Sequence, residues 1–179
     1  ARQQSSARRR NVLIALAAGA VVVVGVLVVV AQPPAPGLAV PDLGNQHLAA
    51  VDQAHIPYNS RSPTSGPHLP TLAAWGESDE ELPPELFVHN LEDGGVVLAY
   101  SCDSGCPELL EGLRSTLRRF EGRRLILTPY RDIVDPDGLP HAGAAVAWNR
   151  VLYFDDLDEE NLAQLEDFIR AFEGLDHHA

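Results

Sequence analysis

The fold is decided by residues 96–120, which read VVLAYSCDSGCPELLEGLRSTLRRF. Residues 96–101 form an apolar run typical of a buried strand, and residues 107–120 place leucines and a phenylalanine at helical spacing. Pro107 stands at the start of that helix, where proline is favoured because its missing N–H has no partner in the first turn. The sequence therefore predicts a strand, a short loop holding two cysteines, and an amphipathic helix.

Downstream of this unit, the pattern predicts three strands and a helix. They cover residues 124–130, 144–148, 151–155 and 158–172, with a hairpin turn at Asn149-Arg150. The order β-α-β-β-β-α is that of thioredoxin with its middle helix replaced by a loop. We therefore predict a mixed α and β, thioredoxin-like domain over residues 96–176. Pro140 lies just before the hairpin, where such folds place a cis-proline facing the cysteines.

The N-terminal stretch has the composition of a membrane anchor. Residues 12–31 contain no polar side chain, while residues 1–11 hold four arginines and no acidic residue. At about 1.5 Å per residue, a helix of this length spans roughly 30 Å, the hydrocarbon core of a bilayer. Because basic flanks stay cytoplasmic, we predict a cytoplasmic arm, one transmembrane helix and an extracytoplasmic remainder. A cleaved signal peptide is the alternative, although its apolar region usually spans about 7–15 residues.

Between the anchor and the predicted domain lie two segments rich in turn-forming residues. Residues 32–41 resemble a stiff proline-rich spacer. Residues 42–95 are rich in Pro, Gly, Ser and Asn without sustained periodicity, which predicts ordered loops packed on the core. Disorder is the competing interpretation. Against it stand five apolar side chains that could anchor the segment: Ile56, Tyr58, Trp75, Leu82 and Phe87.

The charge pattern excludes one class of partner. The formal net charge is −12. Beyond the arm, the chain has nine of its thirteen basic residues and all twenty-five acidic residues. Nucleic-acid binding requires clustered cations, so this chain is not expected to bind nucleic acid. An acidic surface suits a cationic partner or a metal ion, although it more often promotes solubility. The absence of methionine excludes a methionine-rich copper site.

Cys102 and Cys106 are the only cysteines, spaced CxxxC at the start of the predicted helix. The helix N-terminus favours a thiolate, particularly at Cys106. A structural disulfide is the alternative, but so small a loop adds little chain-entropy stabilisation, which favours a redox or metal role. With Pro107, the motif resembles that of Sco-type copper chaperones. This resemblance implies that both cysteines hold copper together with a distant histidine.

Several histidines compete for that role. We predict His141 as a third metal ligand, because Pro140 would place it opposite the cysteines. The alternative is that His141 is an exposed loop residue without a role in binding. His89 and Asp93 are spaced i and i+4, so they share one face if the segment is helical and could chelate a metal. Four further histidines receive no role from the sequence: His47, His55, His177 and His178.

Five motifs together resemble the bacterial family catalogued as domain of unknown function 3105. They are Tyr58-Asn59-Ser60, residues 63–68 (PTSGPH), Trp75-Gly76, residues 88–97 (VHNLEDGGVV) and Ala147-Trp148. The likeness covers nearly everything beyond the anchor, and it implies a bacterial protein with a basic N-terminus and one membrane helix. It implies no established activity.

Two positions depart from the usual pattern of that family. Asp93 stands where the family has histidine, and Asn149 stands where it has glycine. If the family's paired histidines bind a metal, this chain keeps His68 and His89 but offers an oxygen ligand at Asp93. Such a change shifts the preference from Cu(I) towards zinc or another divalent ion.

Three functions remain open from the sequence. The first is a metal-binding accessory protein of the bacterial cell membrane, with copper considered before zinc, serving a respiratory or other electron-transport complex. The second is a non-catalytic structural subunit of a membrane protein complex, because the small residues of the anchor allow close helix packing. The third is a thiol–disulfide oxidoreductase. No hydrolase or phosphate-binding motif stands out, so we place the enzyme last.

Overall fold

The structure, a computed structural model, describes residues 34–102 and 105–178. The predicted cytoplasmic arm and transmembrane helix, residues 1–11 and 12–31, lie outside these ranges. Within the described ranges, no helix combines the length and the apolar character needed to cross a bilayer. The membrane anchor therefore stays a prediction of the sequence.

Among the described residues, six strands form one mixed sheet, and three helices accompany it. In chain order the elements are β1 (Leu38–Ala39), β2 (Gly76–Glu77), α1 (Pro84–Glu92), β3 (Val96–Tyr100), α2 (Pro107–Arg119), β4 (Leu125–Pro129), β5 (Gly143–Ala147), β6 (Arg150–Phe154) and α3 (Glu159–Phe172). The strand order is β1-β6-β5-β3-β4-β2. β3 runs parallel to β4 and antiparallel to β5, which pairs antiparallel with β6. The prediction of a mixed α and β domain is confirmed.

The central strand β3 is covered on both faces. Val97 and Ala99 belong to one apolar cluster with α1, whereas Val96 and Leu98 belong to a second cluster with α2 and α3. Because alternate side chains of a strand point to opposite faces, a strand covered on both sides has a continuous apolar sequence. This explains the uninterrupted apolar run from which the strand was predicted.

The hairpin turn lies one residue earlier than predicted. Ala147 pairs with Arg150, which leaves Trp148 and Asn149 as the turn. Asn149 has φ of 58°, in the left-handed region that favours glycine and that asparagine tolerates better than other residues. This backbone conformation accounts for asparagine at the second position of the turn.

The segments before β3 are more regular than the sequence suggests. Leu38–Ala39, within the predicted spacer, pairs antiparallel with β6, so this part belongs to the sheet. Residues 42–95 are mainly loops, but they also contain β2 and α1. Among the predicted anchors, Phe87 is buried and Tyr58 and Leu82 pack on the same cluster. The other two, Ile56 and Trp75, are exposed.

The expectation of a cis-proline at Pro140 is wrong. No cis peptide bond occurs among the described residues. Pro140 instead forms an isolated antiparallel bridge with Val134, and the N–H of His141 donates to the carbonyl of Ile133 at 2.9 Å. The connection between β4 and β5 is thus held by backbone pairing within the loop.

Candidate metal centre

Two loops lie side by side and carry the first two histidines of the site. His47 and His68 form a parallel bridge. The N–H of Leu48 donates to the carbonyl of His68 at 2.7 Å, and the N–H of His68 donates to the carbonyl of Gln46 at 3.0 Å. This pairing brings together two histidines that are twenty-one positions apart in the sequence.

The loop before His68 is fixed by hydrogen bonds within it and to the neighbouring loop. The hydroxyl of Tyr58 donates to the carbonyl of Pro67 at 2.6 Å. The hydroxyl of Ser65 accepts from the N–H of Leu43 at 3.1 Å, and the N–H of Gly66 donates to the carbonyl of Gly44 at 2.9 Å. Burial raises the pKa of Tyr58, which keeps its hydroxyl protonated as a donor. The loop is thereby a rigid support for the imidazole.

Helix α1 supplies the opposite side of the site. His89 and Glu92 are three positions apart, so they lie on one face of the helix. The side chain of Asn90 holds α1 in place, because its amide donates to the carbonyl of Ala73 at 3.0 Å and accepts from the N–H of Ala73 at 2.8 Å. The helix therefore presents a histidine and a carboxylate to the loops.

His68 and Glu92 are the most deeply buried residues of the site. Their side chains are both 0% exposed, and His68 Nε2 lies 3.0 Å from Glu92 Oε2. His68 Nδ1 lies 2.7 Å from the carbonyl of Gly66, which only accepts, so Nδ1 carries a proton. Burial lowers the pKa of His68, partly offset by the Gly66 carbonyl and by Glu92. The other carboxylate oxygen, Oε1, accepts from Asn45 Nδ2 at 2.7 Å.

His89 and His47 complete this group. His89 Nδ1 is buried without a hydrogen-bond partner and lies 3.8 Å from Glu92 Oε2. The ring centroid of His47 lies 5.1 Å from that of His68 and 5.4 Å from that of His89. Burial lowers the pKa of His89, and the nearby His68 lowers it further. We call His47, His68, His89 and Glu92 the inner cluster; one ligand atom from each lies within 4.8 Å of the others.

A second group shares one residue with the first. His89, Asp93 and His178 also bring one ligand atom each to within 4.8 Å of one another, and we call them the outer cluster. Asp93 is the C-cap of α1, so it follows Glu92 directly at the end of the helix. The structure thus brings His68 and His89 together in the inner cluster, and His89 and Asp93 together in the outer one.

The cysteines lie apart from both groups. Cys102 and Cys106 are joined in a disulfide, and Cys106 is the N-cap of α2. Disulfide sulfurs are not thiolate ligands, and neither cluster contains a cysteine. His141 faces two carboxylates instead, with Nδ1 3.1 Å from Asp155 and Nε2 3.4 Å from Asp135. The local likeness to Sco-type copper chaperones gains no support from this arrangement.

Three members of the clusters were not identified from the sequence. Glu92 could have been identified, because the motif VHNLED places it three positions after His89 on the same helix face. His47 and His178 carry no local signal, since each joins the site only through pairing of distant segments. Their positions in a loop and a terminal segment gave no reason to select them.

The fold and the two clusters define a small mixed α and β domain with histidine and carboxylate groups gathered at the end of one helix. The chain belongs to the family described as Protein of unknown function (DUF3105), whose model matches residues 50–177. No curated protein and no solved structure matches the chain. The matched range includes His68, His89 and Glu92, whereas His47 and His178 lie just outside it.

Proposed function

We propose that this protein is a membrane-anchored, extracytoplasmic accessory protein that binds one divalent transition-metal ion in the inner cluster. Zn²⁺ is the ion that the ligands fit best. The single observation that carries the proposal is the buried contact between His68 Nε2 and Glu92 Oε2 at 3.0 Å.

That contact is chemically incomplete without a cation. Because Nδ1 of His68 carries the proton, Nε2 of the neutral ring has only a lone pair to offer. A carboxylate at Glu92 would also offer only lone pairs, so a cation is needed between the two groups, either a second proton on the ring or a metal ion. A metal ion between them accepts both lone pairs. The bond from Nδ1 to the Gly66 carbonyl is then the outer-shell contact that commonly orients a ligating histidine.

The separations also suit a small ion. Two ligands that each lie about 2.1 Å from zinc in a tetrahedron are about 3.4 Å apart. The distances from Glu92 Oε2 to His68 Nε2 and to His89 Nδ1 are 3.0 and 3.8 Å, on either side of that value. His89 Nδ1, buried without a hydrogen-bond partner, would gain one in the ion.

The ligand types favour zinc over Cu(I). Three imidazoles and one carboxylate offer nitrogen and oxygen without a thiolate, and Cu(I) prefers soft sulfur ligands. Zn²⁺ commonly takes histidine with a carboxylate in four-coordinate sites. Cu²⁺ is the competing divalent ion, because it binds nitrogen and oxygen ligands more tightly than zinc does. The oxygen ligand of the proposed site is Glu92, in place of the Asp93 suggested by the sequence.

The test is calorimetric titration of the full chain, kept in mild detergent and first stripped with a chelator, with Zn²⁺ and separately with Cu²⁺. We expect one Zn²⁺ per chain. His47→Ala, a change at an exposed residue, should weaken binding by at least about tenfold with an unchanged circular dichroism spectrum. His141→Ala is the matched control and should bind as the original chain does. Absence of zinc binding, or equal affinity in both variants, would contradict the proposal.

The finer fold class is also a proposal. The central strands lie in the order β6-β5-β3-β4, with β3 and β4 parallel, and residues 130–142 form a loop in place of a middle helix. These features support a thioredoxin-like domain. Thiol–disulfide exchange stays a prediction, supported by the disulfide at the start of α2 without indicating a substrate. The structural-subunit role and the partner complex likewise stay predictions, resting on the predicted anchor.

A further inference from the structure

We propose that the outer cluster is the site through which the metal ion reaches and leaves the inner cluster, with His178 as the exchanging ligand. This inference rests on the proposed function, since it requires an ion in the inner cluster. It assigns a role to residues 174–178, a segment for which the sequence indicated none.

Residues 174–178 are hydrogen-bonded to the residues at the C-terminal end of α1. The N–H of Gly174 donates to the carbonyl of Gly94 at 2.7 Å, and the N–H of His177 donates to the carbonyl of Glu92 at 2.9 Å. Gly94 has φ of +79°, and a Cβ there would lie 2.7 Å from backbone atoms of Leu175. Only glycine allows so close an approach. The segment is therefore held directly beside the carboxylates of Glu92 and Asp93.

A ring contact adds to this anchoring. His177 stacks on Trp148, with ring centroids 5.9 Å apart and planes inclined by 20°. Trp148 in turn meets the ring of His68 edge-on at 6.3 Å. The segment thus packs against the same side chain that borders the buried histidine, and His178 is the next residue along the chain.

His178 is oriented as a ligand. Its Nδ1 lies 2.8 Å from Asp176 Oδ1, so the Nδ1–H group donates a hydrogen bond to the carboxylate and Nε2 is left to bind an ion. That Nε2 lies 3.4 Å from Asp93 Oδ1 and 3.6 Å from Glu92 Oε2. A histidine whose far nitrogen is fixed by a carboxylate is a recurring arrangement at metal sites.

Exposure falls along the route from His178 through His89 to Glu92. The side chain of His178 is 46% exposed, that of the shared His89 is 13% exposed, and that of Glu92 is fully buried. On this route a hydrated ion meets His178 and Asp93 before it meets Glu92. His47 is exposed too, but it belongs to the inner cluster alone. Replacing His47 should therefore weaken equilibrium metal binding and leave the route through the outer cluster in place.

The passage inwards needs only an exchange of ligands. Glu92 Oε2 lies within 3.6 Å of His178 Nε2 and within 3.0 Å of His68 Nε2, so it faces both histidines. The bonds from the ion to His178 and Asp93 would break as the bonds to His68 and His47 form, while His89, which belongs to both clusters, would stay a ligand. The ion keeps its +2 charge, and no electron or co-reactant is required.

The experiment measures rates of exchange on the full chain in mild detergent. Zinc uptake from, and release to, a coloured zinc chelator is followed by stopped flow. We expect His178→Ala to slow both uptake and release about tenfold and to change the equilibrium affinity by less than about twofold. His47→Ala should show the opposite pattern, with a large loss of affinity. His141→Ala should match the original chain in both measurements.

Each outcome decides between the two proposals. Exchange at the original rate in His178→Ala, with zinc still bound by the original chain, overturns the role of the outer cluster alone. A tenfold loss of affinity in His178→Ala, like that of His47→Ala, also overturns it, because His178 would then belong to the inner cluster. If the original chain binds no zinc, the proposed function itself fails.

Discussion

Gly66 sets the orientation of His68 through its own carbonyl oxygen. That oxygen lies 2.7 Å from His68 Nδ1, and it reaches this point because Gly66 has φ of +119°. A Cβ at this position would lie 3.3 Å from Leu43 Cβ and from the ring of Tyr58. Glycine therefore meets two demands at once, an unusual backbone conformation and a lack of space.

We predict that Gly66→Ala destabilises the protein by about 1–3 kcal/mol and weakens zinc binding. Gly76→Ala is the control, because Gly76 has φ of +108° but nothing within 4 Å of its would-be Cβ. Urea unfolding at neutral pH measures both variants. The difference between them reports the packing against Tyr58. An equal loss of unfolding free energy would show that backbone conformation alone matters at Gly66.

At the scale of elements, α3 is tied to α2 by one carboxylate. Glu166 accepts hydrogen bonds from Arg119 of α2 and, at 2.6 Å, from Arg170 one turn further along α3. These arginines lower the pKa of Glu166, with Arg170 contributing most. A carboxyl group whose pKa is lower in the folded chain stabilises it at a pH above its ordinary value, and that contribution is lost as the pH falls through the folded value.

We predict that Glu166→Gln lowers the free energy of unfolding by about 0.5–1 kcal/mol at pH 7, as expected for partly exposed ion pairs. The deficit should shrink as the pH drops below the ordinary glutamate value of 4.5. Urea unfolding at several pH values measures it, with the more exposed Asp167→Asn as the control. A deficit that stays constant from pH 7 to pH 3 would show that charge plays no part.

The elements that the sequence predicted well are those with enough length to show a period. The predicted ranges agree with the structure to within about a residue at either end for β3, α2, β4 and α3. The apolar residues of these elements repeat at strand or helix spacing, which makes them visible in the sequence. β1 and β2 have two residues each, too few for any period to appear. α1 begins at the second of two consecutive prolines and follows a loop, so its short pattern was read as part of that loop.

At the scale of the molecule, the inner cluster joins the loops before α1 to the rest of the fold. His47 and His68 come from loops, whereas His89 and Glu92 come from a helix packed on the sheet. We predict that Zn²⁺ at one hundred times its dissociation constant stabilises the chain by about 2.7 kcal/mol. Thermal unfolding with and without a chelator measures this gain.

The same measurement on His47→Ala should show a much smaller gain at the same zinc concentration, because linked stabilisation follows affinity. His141→Ala should keep the full gain. Zinc-dependent stabilisation that survives unchanged in His47→Ala would place the ion somewhere other than the inner cluster.

The site is assembled partly from residues in local motifs and partly from distant segments, and only the former could be predicted from the sequence. His68 and His89 were selected because they lie in motifs, and Asp93 because of its helical spacing from His89. The cysteines received more weight than the histidines because CxxxC is visible within five positions. His47 and His178 enter only after a loop pairs with another loop and a terminal segment returns to α1. Such long-range pairings leave no local pattern to detect.

The two-residue strands at the sheet margins have a consequence for crowding. Unpaired margins of β-sheets are templates on which other copies of a chain can add strands. Here β1 and β2 form those margins, and each pairs over only two residues. Each of these edge strands therefore offers the peptide groups of only two residues to a neighbouring copy. Short edge strands are one of the features by which proteins limit edge-to-edge aggregation.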